Sequence, residues 1–202
     1  MIKLSAVELR TTKVSKEERE KIKKNDIYII LDNVLDTYNV GAIFRLADAV
    51  AAKKVILCGQ TETPPHTRIK KASINTTEWV DWEYAETAVE AIKKVRSLWS
   101  CHPEYPSGHL RLVSGSRDSD LRQNDRGMVI AIEQSSKAVQ YDKVDYSFPI
   151  ALVVGHETDG VSKEVLEIAD QIVEIPMWGV NKSLNVMVSL GIVLYEAMKR
   201  KG

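Results

Sequence analysis

The sequence predicts an α/β fold: a mostly parallel sheet with helices on both of its faces. Short runs of apolar and β-branched residues alternate along the chain with longer runs of helical periodicity, which is typical of repeated strand, helix and strand units. The run Ile150–Val154 is apolar at every position, as expected of a strand that is buried on both faces. With 202 residues, of which 44% are apolar, the chain is long enough to bury one substantial core.

The elements of the first half follow from the apolar pattern and from the turn residues that interrupt it. Strands are predicted at Ile27–Leu31 and Lys54–Cys58, and a further short β-rich run at Glu78–Trp82 follows a loop that contains proline. A helix is predicted at Asn39–Ala52, where apolar residues recur at helical spacing. A second helix is predicted at Glu86–Arg96.

The second half repeats the alternation with shorter elements. Strands are predicted at Met128–Ile132, Ile150–Val154 and Gln171–Ile175. Helices are predicted at Ser162–Ala169 and from about Ser183 to Arg200, each opening with a serine of the kind that caps helices.

Composition and charge narrow the class of protein. Lys plus Arg and Asp plus Glu both total 28, so a histone-like polycation and a disordered charged tail are excluded. The apolar runs are far shorter than the roughly 18 to 20 residues that a membrane span needs, and the N-terminus lacks the apolar core of a signal peptide. Cys58 and Cys101 are too few for a disulfide framework. We therefore expect a cytoplasmic protein without a membrane segment.

Two segments depart from the rhythm of strands and helices. Residues 1–26 carry dense mixed charge and predict a charged N-terminal arm ahead of one domain at 27–202. Residues from about 97 to 127 show neither strand nor helix periodicity, and their four arginines are balanced by four acidic residues. This pattern predicts a surface insertion without catalytic groups.

The first candidate functional segment joins the first strand to the first helix. It runs from Asp32 to Asp48 and includes Asn39–Arg45 (NVGAIFR), with Asn39 in the N-cap position. Gly41 lowers helix stability in the first turn, which indicates that another group approaches the backbone closely there. Arg45 is either a cation held beside a helix start or one partner of an ordinary ion pair with Asp48.

The second segment follows the apolar strand Ile150–Val154 directly and consists of the loop Gly155–Gly160 (GHETDG). Ligands of open α/β sheets bind at the carboxyl ends of the strands, so this loop is either the wall of a pocket or a plain turn. Its spacing matches neither the dinucleotide-binding fingerprint nor a phosphate-binding loop.

The third segment, Ile175–Val186 (IPMWGVNKSLNV), runs from a strand end at proline into the last helix. Ser183 has the character of a helix cap. Asn185 lies among positions that are predicted to be buried, where a polar group needs either a partner or a ligand.

These three segments, in this order, resemble the three motifs of the SpoU/TrmH-type group of SPOUT methyltransferases. The motifs are Asn39–Arg45, Gly155–Gly160, and Ile175–Met177 with Ser183–Val186. Members of this group transfer a methyl group from S-adenosylmethionine to a ribose 2′-hydroxyl of tRNA or rRNA. The resemblance covers residues 27–200 apart from the insertion, and the stretch from Thr63 to Lys71 (TPPHTRIKK) also resembles one seen in many members.

The resemblance implies a deep trefoil knot in the C-terminal half, a homodimer, and S-adenosyl-L-methionine as cofactor. It implies that the adenosyl group is held mostly by the backbone around Ile132, Gly155, Ile175, Met177 and Leu184. It assigns the catalytic site to Arg45, Asn39, Glu157, Ser183 and Asn185. Methyl transfer needs no metal, and the four histidines are scattered without the spacing of metal ligands.

The family proposal makes the arginine of the first motif the group that activates the ribose hydroxyl. Arginine is essentially never deprotonated in proteins. We therefore expect Arg45 to bind a neighbouring RNA phosphate and to stabilise negative charge on the ribose oxygen, with the phosphate as the proton acceptor.

A local basic face is predicted to bind the RNA. The alternative is that each of its residues is an ordinary solvated charge. The residues are Lys13, Lys16, Arg19, Arg68, Lys70 and Lys71.

Three alternatives stay open at this point. One is an RNA base methyltransferase of the same fold, and another is a non-catalytic RNA-binding module that keeps the fold. The third is a hydrolase with Ser183, His156 and Asp159 as its triad, but the chain lacks a Gly-x-Ser-x-Gly nucleophile elbow.

Overall fold

The computed structural model describes residues 15–100 and 127–201, together with Glu8. Within them the strands are β1 (Asn25–Asp32), β2 (Ala52–Cys58), β3 (Trp82–Ala85), β4 (Met128–Ile132), β5 (Val139–Gln140), β6 (Ile150–Val154) and β7 (Gln171–Glu174). The α-helices are α1 (Lys16–Glu20), α2 (Thr37–Ala49), α3 (Thr67–Ser73), α4 (Ala88–Ser100), α5 (Lys163–Ile168) and α6 (Val186–Lys199). Short 3-10 helices lie at Thr76–Glu78 and Tyr141–Lys143.

These strands form one sheet in the order β3-β2-β1-β6-β4-β7-β5, and neighbouring strands pair in parallel. Side chains of β1 alternate between the two faces. Ile27 and Ile29 pack in the core under α2 and α6, whereas Tyr28 and Ile30 pack in the core under α4 and α5. The predicted α/β class, with helices on both faces of a parallel sheet, is thereby confirmed. No helix of the described ranges is long and apolar enough to span a bilayer.

One predicted strand is wrong, and strand β5 and helix α3 were not predicted. Glu78 ends a 3-10 helix, and the strand begins only at Trp82, which pairs with Val55 of β2. Helix α3 was treated as a basic stretch within a loop, although Ile69 and Ser73 form a short buried stripe. The other predicted strands and helices are confirmed, with ends that differ by up to a few residues.

The predicted close approach at Gly41 is confirmed, and the approaching group is α3. A Cβ atom at Gly41 would lie 2.6 Å from the Ala72 Cβ and 2.7 Å from the Ile69 carbonyl oxygen. Glycine is therefore needed here because two helix backbones touch, and not because a ligand approaches.

The predicted start of the insertion at residue 97 is wrong, because α4 continues to Ser100. Trp99 is buried and lies edge-on to the Tyr28 ring, with ring centroids 6.1 Å apart. A Cβ atom at Gly127 would lie 2.4 Å from the Trp99 Cε3 atom. Residues 101–126 lie outside the described residues. The residues on either side of them therefore meet at Trp99.

Of the predicted N-terminal arm, residues 15–26 are described. Ser15 caps the short helix α1, and Glu18 completes a capping box with it. Asn25 and Asp26 already belong to β1, so the sheet begins two residues before the predicted boundary of the domain.

Two replacements of the insertion are expected to differ in stability. A short Gly/Ser linker in place of residues 101–126 should leave the free energy of unfolding nearly unchanged, because the flanks already meet. Replacing residues 98–126 also removes Trp99 and should lower that free energy by about 3 to 5 kcal/mol, as is typical of truncating a buried aromatic side chain. Denaturant unfolding of the two variants measures the difference, and equal stabilities would contradict the packing role of Trp99.

Candidate active site

A pocket opens at the carboxyl ends of β4, β6 and β7, the edge of a parallel sheet at which ligands bind. The residues predicted to hold the adenosyl group all line it: Ile132, Gly155, Ile175, Met177 and Leu184. Glu157 and Ser183 of the predicted catalytic set line it as well. Asn39, Arg45 and Asn185 stand outside this lining.

The pocket combines apolar and acidic walls. Apolar side chains of Val154, Val173 and Ile175 lie among its lining residues, together with the carboxylates of Glu133 and Glu174. Neither carboxylate was predicted from the sequence, although their places at the ends of β4 and β7 were the available signal. Parallel strands bring such residues to one edge even when they are far apart in sequence.

The loop Gly155–Gly160 is both a tight turn and a pocket wall. The His156 N–H donates to the Gly160 carbonyl at 3.0 Å, and the Gly160 N–H donates to the His156 carbonyl at 2.9 Å. A Cβ atom at Gly155 would lie 2.2 Å from the carbonyl carbon of Gly160. The returning limb of the loop therefore passes directly over the Gly155 backbone, at a place that only glycine leaves open.

Glu157 ties this loop to the first motif. Its Oε2 accepts the Leu35 N–H at 3.0 Å, and its Oε1 accepts the Asp36 N–H and the Asn39 side-chain amide, each at 3.0 Å. Both carboxylate oxygens are therefore engaged by donors. This arrangement fixes the loop after β1 against the loop after β6 and leaves Glu157 poorly placed to act as a free general base.

Asn39 extends the connection to the third motif. Its Oδ1 accepts the side-chain amide of Asn185 at 3.0 Å. The Asn185 Oδ1 in turn accepts the Met187 N–H at 3.0 Å, so Asn185 is the N-cap of α6. One chain of hydrogen bonds thus joins Glu157, Asn39 and Asn185, and with them the three motifs.

The predicted helix caps at Asn39 and Ser183 are wrong. Helix α2 begins at Thr37, and the Asp36 Oδ1 accepts the Tyr38 N–H at 2.8 Å. Because Asp36 supplies the cap, the side chain of Asn39 is available to the other motifs. Ser183 lies ahead of α6, and its hydroxyl donates to the Asn181 Oδ1 at 3.3 Å.

The contacts of Glu157 also set its protonation. Burial alone would raise the pKa of Glu157, but the hydrogen bonds from Asn39, Leu35 and Asp36 outweigh it and hold the pKa below the ordinary value of 4.5. Because the pKa is lower in the folded state, the ionised side chain stabilises the fold above pH 4.5, and this contribution is lost as the pH falls through the lowered pKa.

Glu157→Gln is therefore expected to flatten the acid side of the stability profile. The amide does not titrate, and it accepts through only one oxygen. Thermal unfolding of the unsubstituted chain and the variant across the acidic range measures the effect. Glu164→Gln, an equal change at an exposed position of α5, is the control. Parallel profiles for the unsubstituted chain and Glu157→Gln would contradict the expectation.

Arg45 is exposed on α2 and makes no hydrogen bond or ion pair with any residue that the structure describes. The predicted ion pair with Asp48 is wrong, since the Asp48 Oδ1 accepts the Trp79 indole N–H at 2.7 Å. The guanidinium of Arg45 is therefore available to a ligand.

The predicted RNA-binding residues lie partly on α1 and partly on α3. The Arg19 guanidinium donates to the Glu78 carbonyl at 2.6 Å, and the Lys70 Nζ lies 3.7 Å from the Glu78 carboxylate. Arg19 of α1 and Lys70 of α3 therefore both lie next to Glu78. Arg68 and Lys71 are exposed on α3, whereas Lys13 and the side chain of Lys16 lie outside the described residues.

The contacts do not support a hydrolase triad. The His156 Nδ1 accepts the Thr158 and Asp159 N–H groups at 3.0 and 3.1 Å, so this nitrogen carries no proton and its 3.5 Å approach to the Asp159 carboxylate is not an ion pair. The Ser183 hydroxyl donates to Asn181 rather than to this histidine. Among the described side chains, no group of three or more His, Cys, Asp or Glu is placed to hold a metal ion.

Comparison with known proteins matches the chain over both halves. A family model for the SpoU rRNA methylase family matches residues 26–102 and 114–195. The tRNA (guanosine(18)-2′-O)-methyltransferase of Aquifex aeolicus is 33% identical over 189 residues, which cover 92% of this chain and 72% of the relative. The Escherichia coli protein of the same name is 28% identical over 180 residues, which cover 87% of this chain and 64% of the relative.

Solved structures give the same result. The Aquifex aeolicus TrmH/SpoU tRNA modifying enzyme matches with a TM-score of 0.68 and 28% identity, over 97% of this chain and 82% of that one. An rRNA methyltransferase from Sinorhizobium meliloti, solved with S-adenosylmethionine bound, matches with a TM-score of 0.68 and 26% identity, over 91% of this chain and 60% of that one.

Proposed function

The chain belongs to the SpoU rRNA methylase family of S-adenosylmethionine-dependent RNA 2′-O-methyltransferases, and we propose how its residues share that reaction. The observation that carries the proposal is the hydrogen-bond chain through Glu157, Asn39 and Asn185, since it joins the three motifs beside one pocket. These three side chains are positioning residues: they hold the loops that surround the reactants.

The pocket residues fit S-adenosylmethionine. Apolar side chains around Val154, Val173 and Ile175 suit an adenine ring, and the carboxylates of Glu133 and Glu174 suit the positive sulfonium and amino groups. When bound, the cofactor supplies an electrophilic methyl carbon. The backbone around Ile132, Gly155, Ile175, Met177 and Leu184 holds the adenosyl group in this proposal.

Arg45 and Ser183 act on the RNA side of the reaction. The unpartnered, exposed guanidinium of Arg45 binds a phosphate beside the target ribose in a charge-assisted contact and stabilises negative charge on the attacking oxygen. The phosphate accepts the proton. Ser183, whose hydroxyl proton is donated to Asn181, accepts a hydrogen bond from the ribose at the pocket lining and so orients it.

The proposed substrate is a guanosine 2′-hydroxyl of tRNA, in the cytoplasm. Support comes from the named activities of the Aquifex aeolicus and Escherichia coli relatives. The chain spans 64% of the length of the Escherichia coli relative, so the choice of RNA rests on the shared domain alone.

Methylation mapping tests the function. The purified chain is incubated with S-adenosylmethionine that carries a labelled methyl group and with either transcribed tRNA or rRNA, and the labelled nucleotide is identified. A label on a ribose 2′-oxygen of tRNA is the expected result. A label on a base would identify a base methyltransferase, and absence of cofactor binding in a calorimetric titration would identify a non-catalytic module.

The basic face is expected to govern the salt dependence of tRNA binding. Arg68→Gln with Lys71→Gln removes two exposed cations of α3, and each phosphate contact that is lost should lower the slope of log affinity against log salt by about 0.7 to 0.9. Cofactor affinity should not change. Lys93→Gln with Lys163→Gln, on helices of the opposite sheet face, is the matched control. Equal slopes in both double variants would place the RNA elsewhere.

A homodimer and a C-terminal knot complete the proposal. Helices α2 and α6 pack against each other, and large apolar side chains on or next to them are exposed, among them Leu35, Tyr38 and Tyr195, which suits contact with a second copy of the chain. The sedimentation mass of the purified chain tests whether it is a homodimer.

The support for the knot is that the segment after β7 passes along the pocket before α6 packs back against β4 and β6.

A further inference from the structure

Two carboxylates outside the three motifs hold the end of the Gly155–Gly160 loop. The Glu133 Oε2 accepts the Val161 N–H at 2.8 Å, and the Asp32 Oδ2 accepts the Ser162 N–H at 2.9 Å. Glu133 follows β4 and Asp32 ends β1, the strands on either side of β6. Two consecutive backbone N–H groups after the loop are thus tied to both neighbouring strands.

We propose that Glu133 and Asp32 are positioning residues for S-adenosylmethionine, which act by fixing the Gly155–Gly160 loop as a wall of its pocket. The inference rests on the proposed function of that pocket. We define the two carboxylates and the N–H groups that they accept as the carboxylate clamp.

The remaining oxygens of the carboxylate clamp are also engaged. The Glu133 Oε1 accepts the Gln134 N–H at 2.8 Å, and the Asp32 Oδ1 accepts the Asn33 side-chain amide at 2.9 Å. Asp32 is only 3% exposed, and a buried carboxylate is tolerated when donors satisfy it. Both side chains are therefore held rigidly, which is the property required of groups that fix a loop.

Gly160 shows how closely the loop fits the clamp. Its φ of +73° is unfavourable for other residues, and a Cβ atom there would lie 2.0 Å from the Glu133 Oε2. A side chain at position 160 would therefore collide with the Glu133 carboxylate, and glycine lets the loop close directly over it. Hydrogen bonds to an ionised acceptor are stronger than neutral ones, so the carboxylates hold the loop better than amides would.

Asp32 separates positioning from direct contact with the cofactor. Glu133 lines the pocket, and its replacement also removes a negative charge from the pocket wall. Asp32 lies outside the lining, so its replacement reaches the cofactor only through the loop. If both substitutions weaken cofactor binding, the loop is the common cause.

The test compares Glu133→Gln and Asp32→Asn with the unsubstituted chain by calorimetric titration of S-adenosylmethionine. Each variant is expected to weaken cofactor binding at least about tenfold, since a hydrogen bond to an ionised acceptor is stronger than one to an amide. In Asp32→Asn the KM for the cofactor should rise, while kcat at saturating cofactor and tRNA affinity stay close to those of the unsubstituted chain. A general loss of structure would instead lower kcat and tRNA affinity as well.

Glu164→Gln, the same change at an exposed position shortly after the clamped N–H groups, should leave cofactor binding unchanged. Should Asp32→Asn fail to fold, amide hydrogen exchange of residues 156–160 in Glu133→Gln takes its place, and faster exchange is expected. If the unsubstituted chain binds the cofactor and Glu133→Gln binds it equally well, this inference alone is overturned. Absence of cofactor binding by the unsubstituted chain would overturn the proposed function and this inference with it.

Discussion

Arg45→Ala is expected to lower the rate of methyl transfer about 100- to 1,000-fold, the usual effect of removing one group that stabilises charge in a transition state. The affinity for S-adenosylmethionine should stay within a few-fold, because Arg45 stands outside the pocket lining. The exposed guanidinium makes no hydrogen bond or ion pair with a described residue, so its loss should also leave the free energy of unfolding within about 0.5 kcal/mol. Single-turnover kinetics, calorimetry and denaturant unfolding measure the three quantities.

Arg45→Lys sharpens this experiment. Lysine keeps the positive charge but loses the planar fork that binds a phosphate through two parallel hydrogen bonds. An intermediate rate is therefore expected for the lysine variant. Equal losses of cofactor affinity and activity in Arg45→Ala would contradict the role on the RNA side and place Arg45 in the cofactor site.

Most strands of the sheet, and the edge at which the pocket lies, could be predicted from the sequence. Runs such as Met128–Ile132 and Ile150–Val154 are apolar throughout because parallel strands are buried on both faces. Each of the three candidate segments begins at or directly after the end of a strand. The resemblance to the family placed residues as distant as Ile132 and Leu184 in one pocket, and the shared carboxyl edge of the parallel strands explains why they meet there.

The partners of individual side chains could not be predicted in the same way. Asp36 and Asn39 are both good helix caps, and the local sequence does not choose between them. The choice depends on Glu157, which lies 118 residues after Asn39 and engages its side chain. Contacts of this kind are set by packing across the sheet and leave no periodic signal in the sequence.

Two local errors have a similar origin. The short edge strand Trp82–Ala85 lacks a buried run, because only one neighbouring strand covers it, and its position was therefore predicted a few residues early. Trp99 was assigned to an irregular segment although it lies one helical turn after the buried Val95 of α4. In both places a tertiary contact, rather than local periodicity, decides where the element lies.

Gly155→Val is expected to abolish detectable binding of S-adenosylmethionine and to lower the free energy of unfolding by about 1 to 3 kcal/mol or more, as overpacking does. The Cβ of the branched side chain would meet the loop's own backbone, 2.2 Å from the Gly160 carbonyl oxygen and 2.3 Å from the Val161 nitrogen. The returning limb of the loop must therefore move, and the pocket wall and the contacts of Glu157 move with it.

Gly179→Val provides the matched control for this substitution. Gly179 follows the pocket residue Met177 closely in sequence, but a Cβ atom there meets nothing within 4 Å. The control variant should therefore keep the stability and cofactor affinity of the unsubstituted chain. Calorimetric titration and thermal unfolding of both variants measure the contrast. Cofactor affinity in Gly155→Val equal to that in Gly179→Val would remove the Gly155–Gly160 loop from the cofactor site.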